Sequence, residues 1–511
     1  MGLGLSAYFI NFNDAKLMQM QSNPYGRIAS FSILLLLLIF SFLYNLGFIP
    51  IRIWDEGRTA TNALNMYLNG NWIVTYFDGM PDMWNTKPPL LIWLQVISMN
   101  VFGVSEWAVR FPSAMASILT GLVLWIFSTR YFNKPWLGFL AGAVFASTYP
   151  FIYNHAGRTG DFDALLTLFT TIYCCSFYLY CKTTLNKWLI AFFSFIILAS
   201  LTKGVAGLFF LPAIFIYALM QKKLLLVLKN KWFYAGVILF LIIVIGYYLL
   251  RDHYNPGYIN AVWNGELGSY PKALNKHSYP FNWYFSNLIN WRYPYWYLFL
   301  LPAFIFGFVA RSQKIKNITV FNLVIVIFYL LVISISNTKL YWYDVPIYPF
   351  LALQIALLLH AFWFFLEKYL PSSLIIKLLV ASILFALVFV YPFRLVYTHN
   401  KHFSVVSPWD LDVQERNQGL FIQQAIRNNK DLNGYVFCYD DCRSCHGQID
   451  FYIIWLQSRN VDIHFQDNLD SLKPGKFIVV SQPAMKQELE RSYNVKLVKE
   501  AFGCYVYTIR E

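Results

Sequence analysis

Charge is scarce in this sequence. Only 13% of its 511 residues are Asp, Glu, Lys or Arg, against 58% hydrophobic and 20% aromatic, which excludes a soluble multidomain protein and leaves a polytopic membrane protein. Acids are rarest where the chain is most apolar: residues 1–397 hold 12 Asp and Glu against 27 Lys and Arg, whereas 398–511 hold 14 against 13. The net charge of +14 therefore lies in loops between apolar runs, where membrane orientation accounts for it. A basic helix interleaved with base-stacking aromatics is missing, so nucleic acid is excluded as a partner. A cleavable leader is missing too. The first apolar run, Phe31 to Ile51, follows a polar segment with Lys16 and Arg27 and lacks a small-residue cleavage pattern; it is long enough to cross a bilayer and is expected to stay as a signal anchor. The start Met1-Gly2-Leu3-Gly4-Leu5-Ser6 fits the myristoylation pattern, a short match that chance explains.

What is present is a series of apolar runs. After the first they fall at about 110–128, 136–152, 164–181, 188–202, 204–220, 232–250, 294–310, 318–335, 345–366 and 373–392, giving about eleven spans. Residues 88–103 are a further apolar stretch, short and interrupted by Gln95, Ser98 and Asn100. Laying that stretch in the interface puts every short basic loop on one side, as the positive-inside rule asks. The other side then receives 51–109, 153–163, 203, 251–293, 336–344 and the tail. The loop 251–293 is rich in aromatics, with Gly257, Gly265, Gly268, Pro256, Pro271 and Pro280. Interfacial belting explains many of its rings, and its length suits a lid over a substrate site. From about 398 the composition turns soluble. Strands are expected at Tyr435–Tyr439, Val461–Phe465, Phe477–Ser481, Val495–Lys499 and Cys504–Ile509, and helices at Ile449–Ser458 and Met485–Tyr493. The expected organisation is a cytoplasmic segment 1–27, an all-α membrane domain 28–397 with in-plane helices, and a small external α/β domain 398–511 without a nucleotide-binding glycine loop.

The informative residues are charges at span ends on one face. Asp55 and Glu56 follow the first span, with Arg58 one helical turn beyond Asp55; they either end the span or face a cavity that takes substrate. Arg158-Thr159-Gly160-Asp161-Phe162-Asp163 supplies a second acidic pair, and with Asp55, Glu56 and His155 these acids are candidate ligands for a hard divalent metal. Span capping with an Arg158 ion pair is the competing reading. Lys87 precedes Pro88 and Pro89, which hold the backbone extended, and Lys203 and Lys339 are further lone cations on the acid-bearing side. Each alone reads equally as a snorkelling anchor. Three together point to a bound anion, such as a lipid-linked phosphate.

The ordered set Asp55-Glu56, Lys87-Pro88-Pro89-Leu90, Phe102 to Glu106 with Val109 to Ser113, Arg158 to Leu166, Thr202-Lys203-Gly204 and Lys339-Leu340-Tyr341 to Pro346 resembles the membrane glycosyltransferases of the protein O-mannosyltransferase superfamily, over about residues 28–395. It is most similar to the bacterial branch that includes the lipid A aminoarabinose transferase. The resemblance implies a GT-C fold and a polyprenyl-phosphate sugar donor. It implies Asp55 as catalytic acid, Asp163 as its supporting acid and Lys87 as a phosphate contact. Where that branch often has Glu before the lysine, this chain has Thr86.

On this reading Asp55 serves as base for an acceptor hydroxyl, positioned by Glu56 or Arg58, with Asp161 and Asp163 in support. Lys87, with Arg158, Lys203, Lys339 and Tyr341, forms the field for the departing phosphate, and the anomeric carbon is expected to invert. The expected setting is a bacterial inner membrane, with the site and tail facing the periplasm. The acceptor is expected to be a lipid A-like glycolipid, with a secreted protein as the alternative. A transporter or flippase of a lipid-linked substrate is the reading from another class, disfavoured because the charges gather at one face rather than at mid-membrane. Cys174, Cys175 and Cys181 read as packing residues. Cys438, Cys442, Cys445 and Cys504 lie in the external tail, where one or two disulfides are expected. The pattern Cys442-Arg443-Ser444-Cys445-His446 also fits c-type haem attachment, which the disulfide reading outranks.

Overall fold

The structure is a computed structural model and describes residues 24–153, 155–267, 277–401, 413–439 and 447–510. Eight described helices are long and apolar enough to cross a membrane: Pro24–Leu43, Glu106–Phe132, Asp163–Thr183, Asn186–Leu208, Lys231–Tyr254, Gln313–Ile335, Tyr341–Glu367 and Leu374–Lys401. Pro135–Ala146, Leu211–Met220 and Tyr297–Val309 are shorter apolar helices that coincide with the remaining runs read from the sequence. The 13-residue Leu90–Phe102 helix is about 20 Å long, too short to cross a hydrocarbon layer of about 30 Å upright. Asp163–Thr183 is 89% buried and runs through the middle of the bundle, whereas Lys231–Tyr254 and Leu374–Lys401 are each only 6% buried and stand at its edge.

The first apolar run stops being helical at Leu43, short of Ile51. Its last carbonyls are taken by side chains from elsewhere: Arg158 donates to Ser41, Phe42 and Tyr44, and Asn400 donates to Ser41. These bonds satisfy the orphan carbonyls of a helix end and free residues 44–54 to turn. The Asp55–Asn69 helix then starts after Trp54, whose φ of 64° and ψ of −126° lie far from ordinary backbone.

The tail folds as read from its alternating pattern. Apart from the short antiparallel pair β1 (Tyr76–Phe77) and β2 (Met80–Pro81), the described strands lie in the tail, where β3 (Tyr435–Cys438), β4 (Ile463–Gln466), β5 (Phe477–Val480), β6 (Val495–Ala501) and β7 (Cys504–Ile509) form one sheet in the order β4-β3-β5-β7-β6. Here β3 is parallel to β4 and β5, and β7 is antiparallel to β5 and β6. Period-two side chains divide between two faces. Val436, Cys438, Ile478 and Val480 pack with Met485 and Leu489 of the Pro483–Ser492 helix. Phe437, Val479 and Val506 join a second core shared with Ala60, Leu64, Ile92 and Val96, so the tail and the segment between the first two long apolar helices bury one another's apolar surface. Cys438 and Cys504 are free thiols, on strands separated by β5. Burial pushes both up to about 12. The Cys442, Cys445 and His446 pattern and the Met1-Gly2 start lie outside the described residues.

The docking contact is a crossing of two glycines. A Cβ on Gly57 would lie 2.6 Å from the backbone nitrogen of Gln448, and one on Gly447 would lie 2.6 Å from the carbonyl carbon of Gly57, so only hydrogen fits at either position. Thr61 donates to the Gly447 carbonyl at 2.8 Å. Tyr452 accepts from the Ile51 N–H and donates to Glu106 at 2.7 Å, where Gln423 also donates. Tyr452→Phe strands the buried Ile51 N–H while Glu106 keeps its bond from Gln423, and removal of such a partner costs about 1 to 3 kcal/mol; faster proteolysis of the tail in the intact protein is the expected readout. Asp450 on the same helix is pushed up to about 7 by burial and by Asp78, against the pull of Arg58. Because its folded-state pKa lies above the unfolded value, the folded protein holds the proton more tightly, so stability declines as pH rises from about 4 towards 7. Asp450→Asn should raise the melting temperature at pH 8, by the equivalent of about 2 kcal/mol, and leave it unchanged at pH 4.

Candidate functional site

Adjacent residues in a helix point about 100° apart, and the two carboxylates that open the Asp55–Asn69 helix do different things. Glu56 is buried and accepts from Arg110 through both oxygens, at 2.7 and 2.9 Å, and from the N–H groups of Arg52 and Gly160, each at 2.8 Å. Burial opposes its charge, but Arg110 and the backbone donors outweigh burial and hold the carboxyl below its usual range. Arg110 in turn donates to the carbonyls of Leu46, Ile49 and Pro50. Glu56 thus fixes three segments and has no oxygen left for a ligand. Arg58 turns away from Asp55 into a bidentate pair with Asp82 at 2.8 and 2.9 Å, against the rings of Phe77 and Trp84.

Asp55 stays half-exposed and faces His155. The Nδ1 atom of His155 lies 3.7 Å from Asp55 Oδ2 and 3.5 Å from Asp161 Oδ1. Its backbone is left-handed, with φ of 64°, and its ring is stacked 3.7 Å from Trp342. Burial works against a charge on this imidazole, but Asp161, Asp55 and Asp163 outweigh it and push the ring up. The segment carrying Asp161 is pinned from several sides: Thr59 and Gln95 donate to the Gly160 carbonyl, and Ser113 donates to that of Asp161. Asp163 is buried and paired with Lys203 Nζ through both oxygens, at 2.6 and 2.7 Å.

The cations divide in the same way. Lys203 is matched by Asp163 and covered by the Tyr343 ring. Lys339 donates to the carbonyls of Ser336 and Tyr279, and Tyr341 is buried beside Trp291 and the Arg292 guanidinium. Arg158 is spent on the end of the first span. Lys87 is the cation that faces the acids: its ammonium lies 5.4 Å from the Phe162 ring, between the two acids of the pair. Burial would lower it, but Glu266, Asp55, Asp163 and Asp161 together raise it. Asp55, His155, Asp161, Asp163, Lys87 and Lys203 therefore share one electrostatic site. Arg58, Arg158, Lys339 and Tyr341 stand around it with other partners.

Residues 86–248 match the family model described as dolichyl-phosphate-mannose-protein mannosyltransferase. An uncharacterised protein of Aquifex aeolicus is 28% identical over 63% of this chain and 62% of its own length. The undecaprenyl phosphate-alpha-4-amino-4-deoxy-L-arabinose arabinosyl transferase of Aeromonas hydrophila is 29% identical over 62% of this chain and 58% of its own. In three dimensions the chain is similar to ArnT from Cupriavidus metallidurans bound to undecaprenyl phosphate, with a TM-score of 0.66, 16% identity, and coverage of 95% of this chain and 98% of that one. The chain has the GT-C fold. The oligosaccharyltransferase of Archaeoglobus fulgidus shares the fold more distantly, with a TM-score of 0.50 at 10% identity over 96% of this chain and 75% of that one. The match to the curated relatives spans about three fifths of their length, 62% and 58% for the two named. The eight apolar helices and the fold make this a multi-pass membrane protein.

Two features near the acid cluster escape a reading by motif. Glu266, from the aromatic-rich loop, accepts from Thr86 Oγ1 at 2.7 Å and is the leading charge acting on Lys87. The residue before the lysine is thus a threonine that engages a carboxylate from another part of the chain. The only signal in the sequence was an acid in a long loop suited to act as a lid. Arg292 and Asp344 form a buried bidentate pair at 2.5 and 3.0 Å beneath Tyr341, unannounced by any local pattern.

Among the described residues, Asp55, His155 and Asp161 bring one ligand atom each within 4.8 Å of one another. Two carboxylates and an imidazole fit a divalent ion with positions left for water or phosphate oxygens. Glu56 and Asp163 are held by Arg110 and Lys203 and do not join this set. Calorimetric titration of the purified protein with Mn²⁺ should give one site, weakened about tenfold or more by Asp161→Asn or His155→Gln. Titration without heat in the wild-type protein would leave a protonated His155 as the bridge between the two acids.

Proposed function

We propose that this chain is a glycosyltransferase of a bacterial inner membrane that moves a sugar from a polyprenyl-phosphate carrier to an envelope glycolipid of the lipid A kind at the periplasmic face. The observation that carries the reading is the meeting of Asp55, His155, Asp161 and Asp163 with Lys87 at one site. A TM-score of 0.66 to a transferase bound to undecaprenyl phosphate supports the same reading, as do curated relatives named as transferases of an arabinose from that carrier.

In this mechanism Asp55 takes the proton from the acceptor oxygen as that oxygen bonds to the anomeric carbon. The bond between the sugar and the carrier phosphate breaks, and the electron pair leaves on the phosphate, where Lys87 stabilises it. Asp55 suits the base role because it keeps an oxygen that is not committed to a buried pair, unlike Glu56. Lys203 and Asp163 form a neutral buried pair, which leaves Lys87 as the cation that meets the departing phosphate. A divalent ion held by Asp55, His155 and Asp161 would add Lewis-acid stabilisation of the departing phosphate. Trp342 packs on His155 and holds its ring in place. Attack from the face opposite the phosphate inverts the anomeric carbon, and an anomer-resolved product spectrum checks that.

Asp55→Asn should lower transfer by about 10²- to 10⁴-fold while leaving the melting temperature close to wild type. Mass spectrometry of envelope lipids and glycoproteins from cells carrying either form should show one sugar lost from one carrier. Identical profiles in the two strains would end the transferase reading. A loss confined to glycoproteins would move the acceptor from lipid to protein.

A further inference from the structure

A second polar cavity lies beside the acid cluster and has the opposite charge. Its walls include Arg52, Tyr153, Arg158, Thr159, His399 and Asn400, with no Asp or Glu among its lining residues. It is formed where the end of the first span meets the end of the last described one. Phe48 on its wall is 50% exposed, and the neighbouring Tyr44 and Tyr397 are 38% and 40% exposed, the aromatic dressing of a membrane–water interface. Several groups here are built to donate and have nothing to donate to. Thr159 is 3% exposed, and its hydroxyl finds no partner among the described residues. Arg52 Nη1 is buried and equally without a partner. Burial, then Arg110 and Arg52, lower Arg158 to about 9, so it stays charged at neutral pH. Because Glu56 already neutralises Arg110, the positive charge of Arg52 and Arg158 is left over. Buried donors and paired like charges without a counter-charge are costly unless an anion completes them.

We propose that this cavity is a phosphate-binding site, and that it receives a phosphate carried on the headgroup of the acceptor lipid. The groups present suit that chemistry: the Arg52 guanidinium and the Thr159 hydroxyl offer donors without partners that bind phosphate oxygens through charge-assisted hydrogen bonds, and Arg158 adds its charge to the field. The cavity is separated from the acids by one short segment, since Tyr153, Arg158 and Thr159 line it while His155 and Asp161 belong to the acid cluster. Arg52 precedes Asp55 by three residues. A lipid held here by its phosphate would present its neighbouring oxygen to Asp55. The acceptor half of this inference rests on the transferase reading; the phosphate half does not.

The test uses the full-length protein in phosphatidylcholine nanodiscs, with lipid A, dephosphorylated lipid A, inorganic phosphate and undecaprenyl phosphate as probes. Arg52→Gln keeps the backbone N–H that serves Glu56, and Thr159→Val removes only the hydroxyl, so folding is checked by melting temperature in two independent variants. Lipid A should bind the wild-type protein, at least tenfold more weakly to Arg52→Gln and several-fold more weakly to Thr159→Val. Dephosphorylated lipid A should not distinguish these proteins. Undecaprenyl phosphate should bind Arg52→Gln as it binds the wild type and should be lost in Lys87→Gln. Equal affinity of lipid A for the wild-type protein and both cavity variants would overturn the site. Arg52-dependent binding of inorganic phosphate as tight as that of lipid A would overturn the acceptor assignment. Loss of undecaprenyl phosphate binding from the wild-type protein, with Arg52-dependent lipid A binding intact, would sink the donor reading alone.

Discussion

The charged face that carries the acid cluster depends on one buried ion pair. Glu56 and Arg110 lie 54 positions apart, and the four hydrogen bonds that reach the Glu56 carboxylate come from a span, from the turn before the Asp55–Asn69 helix and from the Gly160 N–H. Arg110 returns three bonds to the carbonyls that link the first span to that helix. Breaking a pair of this kind from one side costs about 3 to 5 kcal/mol, because the other charge is left buried and alone. The acid cluster of Asp55, His155 and Asp161 sits within a few residues of this knot.

Around that knot, charges sort into those that are consumed by structure and those that are left for a ligand. Glu56, Asp82, Asp163 and Asp344 each have a cationic partner in hydrogen-bond contact. Asp55 and Asp161 have only the longer approach to His155, and Lys87 meets acids through space rather than through a bond. A buried network whose members are all satisfied is rigid. The partly satisfied remainder is where a substrate can complete the electrostatics, and two such remainders of opposite sign lie on the two sides of the segment from Tyr153 to Asp161.

The sequence carried some of this openly and some of it not at all. Apolar runs are legible because a bilayer demands length and hydrophobicity that no other environment asks of a helix, and the tail's inner strands because a sheet covered on both faces leaves short continuous apolar runs. The gathering of acids and lysines at one face was legible from span ends. Which acid pairs with which cation was not: Arg110 for Glu56, Asp82 for Arg58 and Asp344 for Arg292 are tertiary choices. Glu266 reaches Thr86 across 180 residues, and no periodicity encodes that distance. The tail could be read as a separate domain, but its apolar core runs on into the segment between the first two long apolar helices, which composition cannot reveal.

The crossing of Gly57 and Gly447 carries this last point further. Two backbones in direct contact two residues from Asp55 make the tail's register with the loop a matter of a single atom's width, so neither half of the crossing can change on its own. Chimeras that exchange tails between related chains would have to carry both glycines and the surfaces beside them as a unit. Each glycine is therefore required by the other segment's backbone, although almost 400 residues of sequence lie between them.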